Sequence, residues 1–290
     1  MLISSIVYLK DKGLEWRNVK CFGQEINELS SSIARMNLFL HGVEYFDIVN
    51  DDTLRRPAFV DGGRLRQFDL CLANPPYSIS EWNRDAFMND PYGRNFLGVP
   101  PQGRADYAFF QHILKSLKPD TGRCAILFPH GVLFREEEAE MREKLVRRDL
   151  VECVIGIGRN LFYNSPMEAC IVICRMNKPA ERRNRVLFID ARKEVTRKNA
   201  QSYLESDHIK KIASCYLNYT SLDGFSVVSN TGEIVANACS LHIPLYVEKV
   251  RINLEVLPVE DAIADWMVAS QATKESVQQV LDSIGGDLNA

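Results

Sequence analysis

The residues whose types and spacing could carry chemistry lie where an apolar segment, FDLCLA, runs directly into Asn74-Pro75-Pro76-Tyr77. Proline fixes φ at about −65° and has no N–H, so the pair holds a rigid turn whose carbonyls meet no competing backbone donor. The side-chain carbonyl of Asn74 and a neighbouring main-chain carbonyl could each accept one hydrogen of an exocyclic amino group. Such bonds localise the nitrogen lone pair, as alkylation of an aromatic amine requires. Tyr77 would stack on the base, which must first leave the duplex.

Two acids end the preceding apolar segments: Glu25 closes VKCFGQE, and Asp52 closes FDIVNDD. In open α/β sheets, ligands bind beyond the carboxyl ends of the strands. An acid at the end of the second strand of a nucleotide-binding half accepts hydrogen bonds from ribose hydroxyls, whereas the alternative for either acid is a solvated loop carboxylate. The residues alone leave both alternatives open. They also leave open whether Asn74 only begins an ordinary turn that ends a strand.

The elements that must position these residues show two periods of hydrophobicity. Short apolar runs predict strands at VKCFGQE, FDIVNDD, FDLCLA, RCAILFP, LVECVIGI, ACIVICR and RVLFID. Helical spacing is shown by ADYAFFQHILKSLK, by EEEAEMREKLVRRD and by one set of apolar residues, Leu29, Ile33, Met36 and Leu40. This alternation predicts an α/β fold with a mostly parallel sheet covered on both faces. Because ACIVICR and RVLFID follow each other without a helix, we expect an antiparallel C-terminal edge.

Composition limits the class of protein. The chain has 290 residues, 46% of them hydrophobic, which fits one large or two small globular domains. It has no apolar run long enough to span a membrane, no signal-cleavage pattern, and eight cysteines without metal-ligand spacing, so we expect a cytoplasmic protein with no metal site. A net charge of −3 excludes a self-sufficient DNA binder, and any DNA affinity must be local or supplied by a partner.

The chain resembles the adenine-N6 DNA methyltransferases, and within them the modification (methyltransferase) subunit of type I restriction-modification systems. The resemblance rests, in chain order, on GQEINELSSSIARMNLFLHG, NDDTL, FDLCLANPPYSISEW, GRADYAFFQHILKSLKPDTGRCAILFPHGVLFR, LVECVIGIGRNLFYNSPMEACIVICR and VLFIDARKE. It implies a Rossmann-like sheet that binds S-adenosylmethionine.

The resemblance also implies roles for single residues. Glu25 would hold the ribose of S-adenosylmethionine, and Asp52 would contact its adenine. Asn74, Pro75, Pro76 and Tyr77 match the catalytic motif, in which Asn74 also borders the cofactor. Phe162 matches the position whose ring packs on the flipped adenine opposite Tyr77. Where relatives often have glycine before the acid of the third segment, this chain has Asp51.

The front of the chain departs from the family pattern. The family's glycine-rich cofactor loop should precede the strand that ends at Glu25, yet residues 1–18 contain no such loop and MLISSIVYLKDKG resembles the helix that follows it. We therefore expect an N-terminally truncated sheet that lacks its first strand, with an unfilled central position and exposed apolar neighbours. Gly156 and Gly158 in VIGIGRNLF could form the loop instead, but no helix follows them, and a tight turn is the better interpretation.

We expect residues 1–190 to form a partial catalytic domain, residues 191–250 a connecting region and residues 251–290 a helical tail. The tail carries apolar residues at helical spacing, which predicts an amphipathic helix: Val277, Val280, Leu281 and Ile284. The resemblance implies that this helix docks on a specificity subunit, with a restriction subunit in the full complex and DNA as substrate. The basic residues of segment 181–198 could follow a phosphate backbone or form a solvated face.

The predicted function is transfer of a methyl group from S-adenosylmethionine to N6 of a flipped adenine in DNA, without a metal. One alternative is a catalytically inactive truncated subunit that acts only as a binding module for the specificity subunit. Another keeps catalysis but changes the substrate to protein glutamine or RNA. His112 and His130 are interpreted as structural, because methyl transfer to an amine needs no strong base before attack.

Overall fold

A computed structural model of the chain describes residues 1–162, 166–199, 201–247 and 259–283. The strands are, in chain order, β1 (Cys21–Glu25), β2 (Phe46–Asn50), β3 (Val60–Asp61), β4 (Arg64–Leu65), β5 (Leu70–Ala73), β6 (Arg123–Pro129), β7 (Val151–Ile157), β8 (Ala169–Arg175), β9 (Arg185–Ala191), β10 (Thr196–Lys198), β11 (Gln201–Tyr203) and β12 (Ser226–Asn230). The α-helices are α1 (Leu2–Asp11), α2 (Glu28–Leu40), α3 (Arg84–Met88), α4 (Asp106–Lys115), α5 (Ala139–Arg147), α6 (Ser206–Asn218), α7 (Thr231–Ala236), α8 (Pro244–Val247) and α9 (Val259–Ser283).

The main sheet has six strands in the order β12-β9-β7-β8-β6-β5. The pairs β5–β6 and β7–β9 are parallel, whereas β8 is antiparallel to both of its neighbours. Strand β12 is antiparallel to β9, so this edge is antiparallel as predicted, but ACIVICR and RVLFID, on which the prediction rested, do not pair with each other. Because β6–β8, β7–β8 and β9–β12 are all antiparallel, the sheet is mixed rather than mostly parallel. Strands β8 and β9 are consecutive in the sequence but are separated by β7. Since β8 is antiparallel to both β6 and β7, these two strands run in the same direction as each other.

The core lies on both faces of this sheet. Strand β7 is buried along its whole length, as expected for a strand covered on two sides. Helix α4 is confirmed, and it packs Phe110, Ile113 and Leu114 into the core. Leu117 is also buried there, although the helix ends at Lys115.

The sheet is interrupted between β1 and β5. Strands β1 and β2 form a separate parallel pair, and across the described ranges neither is hydrogen-bonded to the six-stranded sheet. Strand β5 has β6 as its bonded neighbour, and its Leu70 is 47% exposed. Side chains join the pair to the amino end of β5, with ring centroids 5.3 to 5.9 Å apart among Phe22, Phe59 and Phe68.

Helix α2 is confirmed, but its predicted apolar face is not buried. The helix begins after Asn27, whose side chain accepts a hydrogen bond from the Ser30 N–H. The predicted face is exposed by 52% or more at each position: Leu29, Ile33, Met36 and Leu40. Leu38, on another face, is buried in a small cluster with Ile6, Cys21, Val43 and Ile48. The spacing of apolar residues therefore predicted the helix correctly. It did not predict which face of the helix is buried, because that depends on where α1 and β1 pack against it.

The chain divides into two compact units, Met1–Val250 and Arg251–Ala290. In the second unit, α9 confirms the predicted tail helix at Val277, Val280 and Leu281, while Ile284 lies outside the described residues. The predicted domain boundary at residue 190 stays a prediction, and β12, from the predicted connecting region, joins the main sheet. Across the described ranges, every helix is too short or too polar to cross a bilayer.

Candidate functional site

The Asn-Pro-Pro-Tyr turn begins directly after Ala73, the last residue of β5, at the carboxyl end of the strand. Ala73 is paired with Ile126 of the parallel strand β6. Asn74 and Pro76 are exposed, and Pro75 between them is buried. The buried proline fixes the backbone, so the Asn74 amide is presented to solvent from a rigid support.

Tyr77 is half-buried, with its hydroxyl directed inward. The hydroxyl oxygen is buried and has no hydrogen-bond partner within the part of the chain that the structure describes. Burial raises the pKa of Tyr77 to about 12, and the nearby Cys170 and Asp106 contribute to the rise. The phenol therefore stays neutral, and the partly exposed ring is suited to stacking rather than to proton transfer.

A buried carboxylate fixes the residue that follows this turn. Asp106, the first residue of α4, is fully buried, and its Oδ1 accepts a hydrogen bond from the Ser78 N–H at 3.0 Å. Its Oδ2 accepts from the Ser78 Oγ at 3.2 Å and from Arg135 Nη1 at 3.0 Å. Sequence reasoning missed this group. The available signal was an acid, in GRADYAFF, at the start of a helix whose other predicted core residues are mostly apolar.

The two candidate cofactor acids each use one oxygen to order their own loop. Glu25 is the last residue of β1, and its Oε1 accepts a hydrogen bond from the Asn27 N–H at 2.8 Å. Asp52 lies two residues after β2, and its Oδ1 accepts from the N–H groups of Leu54 at 2.8 Å and Arg55 at 3.2 Å. Because β1 and β2 are parallel neighbours, both acids lie at the same end of this pair.

Asp51, which stands where relatives often have glycine, is held by two local contacts. Its side chain forms an ion pair with Arg56, and it accepts a hydrogen bond from the Asp52 N–H. The hydrogen bond from Arg56 lowers the pKa of Asp51. Asp51 is therefore engaged with its own loop, and its contacts leave the Asp52 side chain to order residues 54 and 55.

Arg94 joins the loop after β2 to the segment that follows the Asn-Pro-Pro-Tyr turn. Its guanidinium is buried and donates hydrogen bonds to the main-chain oxygens of Thr53 and Leu54, both at 2.9 Å. It also pairs with Asp90 at 2.7 and 2.9 Å. Leu54 packs in the same region against Phe87. Arg94 and this cluster, against which Ile79 also packs, thus link the loop of Asp52 to the segment that follows the Asn-Pro-Pro-Tyr turn. The sequence did not single out Arg94.

Phe162 lies five residues beyond the end of β7. Since β7 runs in the same direction as β6, and β6 in the same direction as β5, Phe162 follows the same carboxyl edge of the sheet as Asn74. The ring is partly buried against a cluster that includes Ile155 and Ile157. Its pairing with Tyr77 across a base stays a prediction.

Gly156 and Gly158, considered above as a possible cofactor loop, lie close to neighbouring segments of the chain. A Cβ at Gly156 would lie 2.8 Å from Ile243 Cδ1, and one at Gly158 would lie 2.7 Å from the Arg192 main-chain oxygen. Gly156 lies inside strand β7, so the predicted tight turn is wrong at this position, and Gly158 directly follows the strand. The close approach of the Arg192 main chain leaves no room for a side chain at Gly158, and at Gly156 a side chain would force Ile243 to shift.

The basic segment 181–198 does not form one continuous patch. Strand β9 runs through it and separates its two basic groups. Arg182, before the strand, pairs with the buried Glu152 at 3.1 Å, and Arg192, after it, pairs with Asp190 at 2.7 Å. These two arginines therefore act in internal ion pairs at opposite ends of a strand.

Both candidate histidines, His112 and His130, are partly buried. Burial lowers the pKa of His112 to about 3, and the nearby Arg94 contributes to the fall. Burial also lowers the pKa of His130. Both rings are therefore neutral near pH 7, as suits a structural role. Within the described ranges, no three histidine, cysteine or acidic side chains form a cluster that could hold a metal ion.

Known proteins similar to this chain are DNA methylases. Residues 1–254 match the family described as N-6 DNA Methylase. The type I restriction enzyme MjaVII methylase subunit of Methanocaldococcus jannaschii is 33% identical over 306 residues, which cover 100% of this chain and 51% of the relative. The HindI methylase subunit of Haemophilus influenzae is 34% identical over 212 residues, which cover 72% of this chain and 46% of the relative.

Among solved structures, the methyltransferase subunit of a type I restriction-modification system from Streptococcus thermophilus superposes with a TM-score of 0.76 at 36% identity. That match covers 85% of this chain and 53% of the other. The chain thus spans about half the length of the relatives it matches. The predicted α/β methyltransferase fold and the predicted resemblance are confirmed. The chain belongs to the N-6 DNA methylase family, and the relatives it matches are methylase subunits of type I restriction enzymes.

Proposed function

We propose that this chain is the methyltransferase subunit of a type I restriction-modification system, which transfers a methyl group from S-adenosylmethionine to N6 of a flipped adenine in DNA. The observation that carries the proposal is the exposed Asn74 amide, which follows β5 on a two-proline turn. Arg94 joins the loop of Asp52 to the segment that follows this turn, which supports a nucleoside site near the base site.

The residues present fit the nucleoside part of the cofactor. Carboxylates accept hydrogen bonds from hydroxyl and amino groups, so Glu25 would hold the ribose and Asp52 the adenine. Glu25 ends β1 and Asp52 follows β2 at the same end of this pair, and the hydrogen bonds that order their loops fix the position of each carboxylate. When bound, S-adenosylmethionine supplies a methyl group on an electrophilic sulfonium carbon.

The chain's own residues would prepare the amine for attack. The Asn74 side-chain oxygen and the Pro75 carbonyl each accept one hydrogen of the adenine amino group, which localises its lone pair. Tyr77 and Phe162 hold the ring by stacking, a contribution of about 1–3 kcal/mol per base. Because Asn74 is exposed, the proton released after transfer can pass to solvent.

We place the chain in a cytoplasmic complex with a specificity subunit, a restriction subunit and DNA. The net charge of −3 supports this division of labour, because sequence-independent attraction to phosphates must then come largely from a partner. All eight cysteines are free, which suits a reducing compartment.

A second candidate function is that of an inactive binding module. The observation in its favour is the absence, within the described ranges, of hydrogen bonds between the β1–β2 pair and the main sheet, because those two parts carry different members of the site. Titration calorimetry with S-adenosylmethionine distinguishes the two. Micromolar binding that is lost in Glu25→Gln supports the enzyme, whereas no binding by the chain in complex with a specificity subunit supports the module.

The direct test is incorporation of labelled methyl groups into adenine by the complex with a specificity subunit. We expect Asn74→Ala to reduce the rate by at least about a hundredfold, comparable to loss of a preorganised polar contact in other active sites. Asn37→Ala, at an exposed position of α2, is the matched control and should leave the rate unchanged. Equal rates in wild type and Asn74→Ala would remove the proposed role of this residue.

A further inference from the structure

We propose that Asp106 is a positioning residue, whose buried carboxylate fixes Ser78 and through it the presentation of Asn74 and Tyr77. The inference rests on the proposed function for its catalytic meaning, but the contact that it describes can be measured without catalysis.

The Asn-Pro-Pro-Tyr turn has few backbone donors of its own. Pro75 and Pro76 have no N–H, so two consecutive residues provide no main-chain donor to hold the turn in place. The amide of Ser78, the second donor after the prolines, is bonded to Asp106 Oδ1 at 3.0 Å. This bond ties the end of the turn to the start of α4, 28 residues away in the sequence.

Ser78 also needs an external partner because of its own conformation. Its φ is 48°, in the left-handed region that residues other than glycine rarely adopt. Such a conformation persists where the surroundings hold it, and it is found preferentially near functional sites. Asp106 accepts hydrogen bonds from both the N–H and the hydroxyl of Ser78, so one carboxylate fixes the backbone and the side chain together.

Arg135 holds the carboxylate in turn. Its Nη1 donates to Asp106 Oδ2 at 3.0 Å, and its Nη2 lies 3.4 Å from the Ser78 Oγ. Asp106 is fully buried, and a buried carboxylate is stable only when it is paired and hydrogen-bonded. The three residues therefore form one closed set of contacts behind the turn.

Gly131 makes room for this arginine. A Cβ at Gly131 would lie 2.7 Å from the Arg135 Cζ and Nη2 atoms. The chain at residue 131 thus passes so close to the guanidinium that alanine would force Arg135 to move. Gly131→Ala consequently perturbs the contacts of Asp106 without changing any residue that touches the turn.

The test combines amide hydrogen exchange with methyl transfer. We expect Asp106→Asn and Gly131→Ala to accelerate exchange at Ser78 at least tenfold, while peptides from β7 keep wild-type protection. A general loss of stability would instead accelerate exchange in β7 as well. Asp69→Asn, the same chemical change in an exposed ion pair before β5, is the control and should leave Ser78 unchanged.

The catalytic arm uses the complex with a specificity subunit, and rates are expressed per S-adenosylmethionine-binding site measured by calorimetry. We expect kcat to fall at least tenfold in both variants, with KM for S-adenosylmethionine within twofold of wild type. Should Asp106→Asn fail to fold, Ser78→Ala removes only the hydroxyl contacts and should show a smaller loss of kcat in the same direction.

The exchange and methyl-transfer results test the inference about Asp106 and the proposed function separately. Unchanged exchange at Ser78 in folded variants would overturn the inference, as would faster exchange with unchanged kcat. If the wild-type complex transfers no methyl group, the proposed function fails, and the exchange measurement still decides whether Asp106 holds the turn.

Discussion

Glu138, which lies beside the Arg135–Asp106 ion pair, provides a test of how the stability of the protein depends on pH. Its side chain is fully buried, and neither carboxylate oxygen has a hydrogen-bond partner among the described residues. Arg135 Nη1 lies 3.6 Å from Glu138 Oε1. Burial raises the pKa of Glu138 to about 7 and the nearby Asp106 contributes, whereas Arg135, Arg104 and Arg142 oppose the rise.

The magnitude and sign follow from this pKa. A rise from the ordinary value of 4.5 to about 7 corresponds to about 3 kcal/mol, since each factor of ten in proton affinity is about 1.4 kcal/mol. Between about pH 4.5 and pH 7, the folded protein retains a proton that the unfolded chain has lost. The free energy of unfolding should therefore fall as the pH rises through this window, and the loss should be complete above about pH 7.

The assay is urea denaturation of wild type and Glu138→Gln at pH 5 and pH 8. At pH 5 both side chains are neutral, and we expect similar stabilities. At pH 8 we expect Glu138→Gln to be the more stable by about 1–3 kcal/mol, because wild type then buries a charge. Glu137→Gln changes an exposed neighbour and should show no such dependence. A stability difference between Glu138→Gln and wild type that is the same at both pH values would refute the reasoning.

Three further predictions concern single side chains. Tyr77→Phe should keep methyl transfer near wild type and raise the free energy of unfolding by up to about 1 kcal/mol, because the hydroxyl is buried without a partner among the described residues; a tenfold loss of rate would contradict this. Arg94→Ala should lower the free energy of unfolding by about 3–5 kcal/mol in urea denaturation, since Asp90 would remain buried without its cation, and a change below about 1 kcal/mol would contradict the pairing. Phe128→Ala should cost about 3–5 kcal/mol by leaving a core cavity, whereas the exposed Phe134→Ala should cost under about 1 kcal/mol; equal thermal shifts would argue against this core.

Local patterns in the sequence predicted most of the elements correctly. The period of apolar residues identified β1, β5, β6 and β7 as strands and α4 as a helix, because periodicity depends only on neighbouring residues. The order of the strands was less accessible. Strand β8 lies between β6 and β7. The sequence of β8, ACIVICR, does not indicate which strands it pairs with.

In the candidate site, too, the sequence predicted some residues and not others. The sequence located Asn74 and Tyr77 after a strand, and Glu25 and Asp52 after two others, because strand ends and prolines are local features. It did not locate the residues that support them. The assigned catalytic and cofactor roles stay predictions until the methyl-transfer and binding experiments are done.

The sequence by itself determined the family, the periods of the elements and a proline-stiffened turn, since each depends on residues adjacent in the chain. Tertiary structure alone decided which face of α2 is buried and which charges stand behind the turn. Ser78, for example, meets Asp106 from 28 residues away and Arg135 from 57 residues away. Such contacts arise from packing, in which a carboxylate is buried only where a distant cation and a distant amide arrive together.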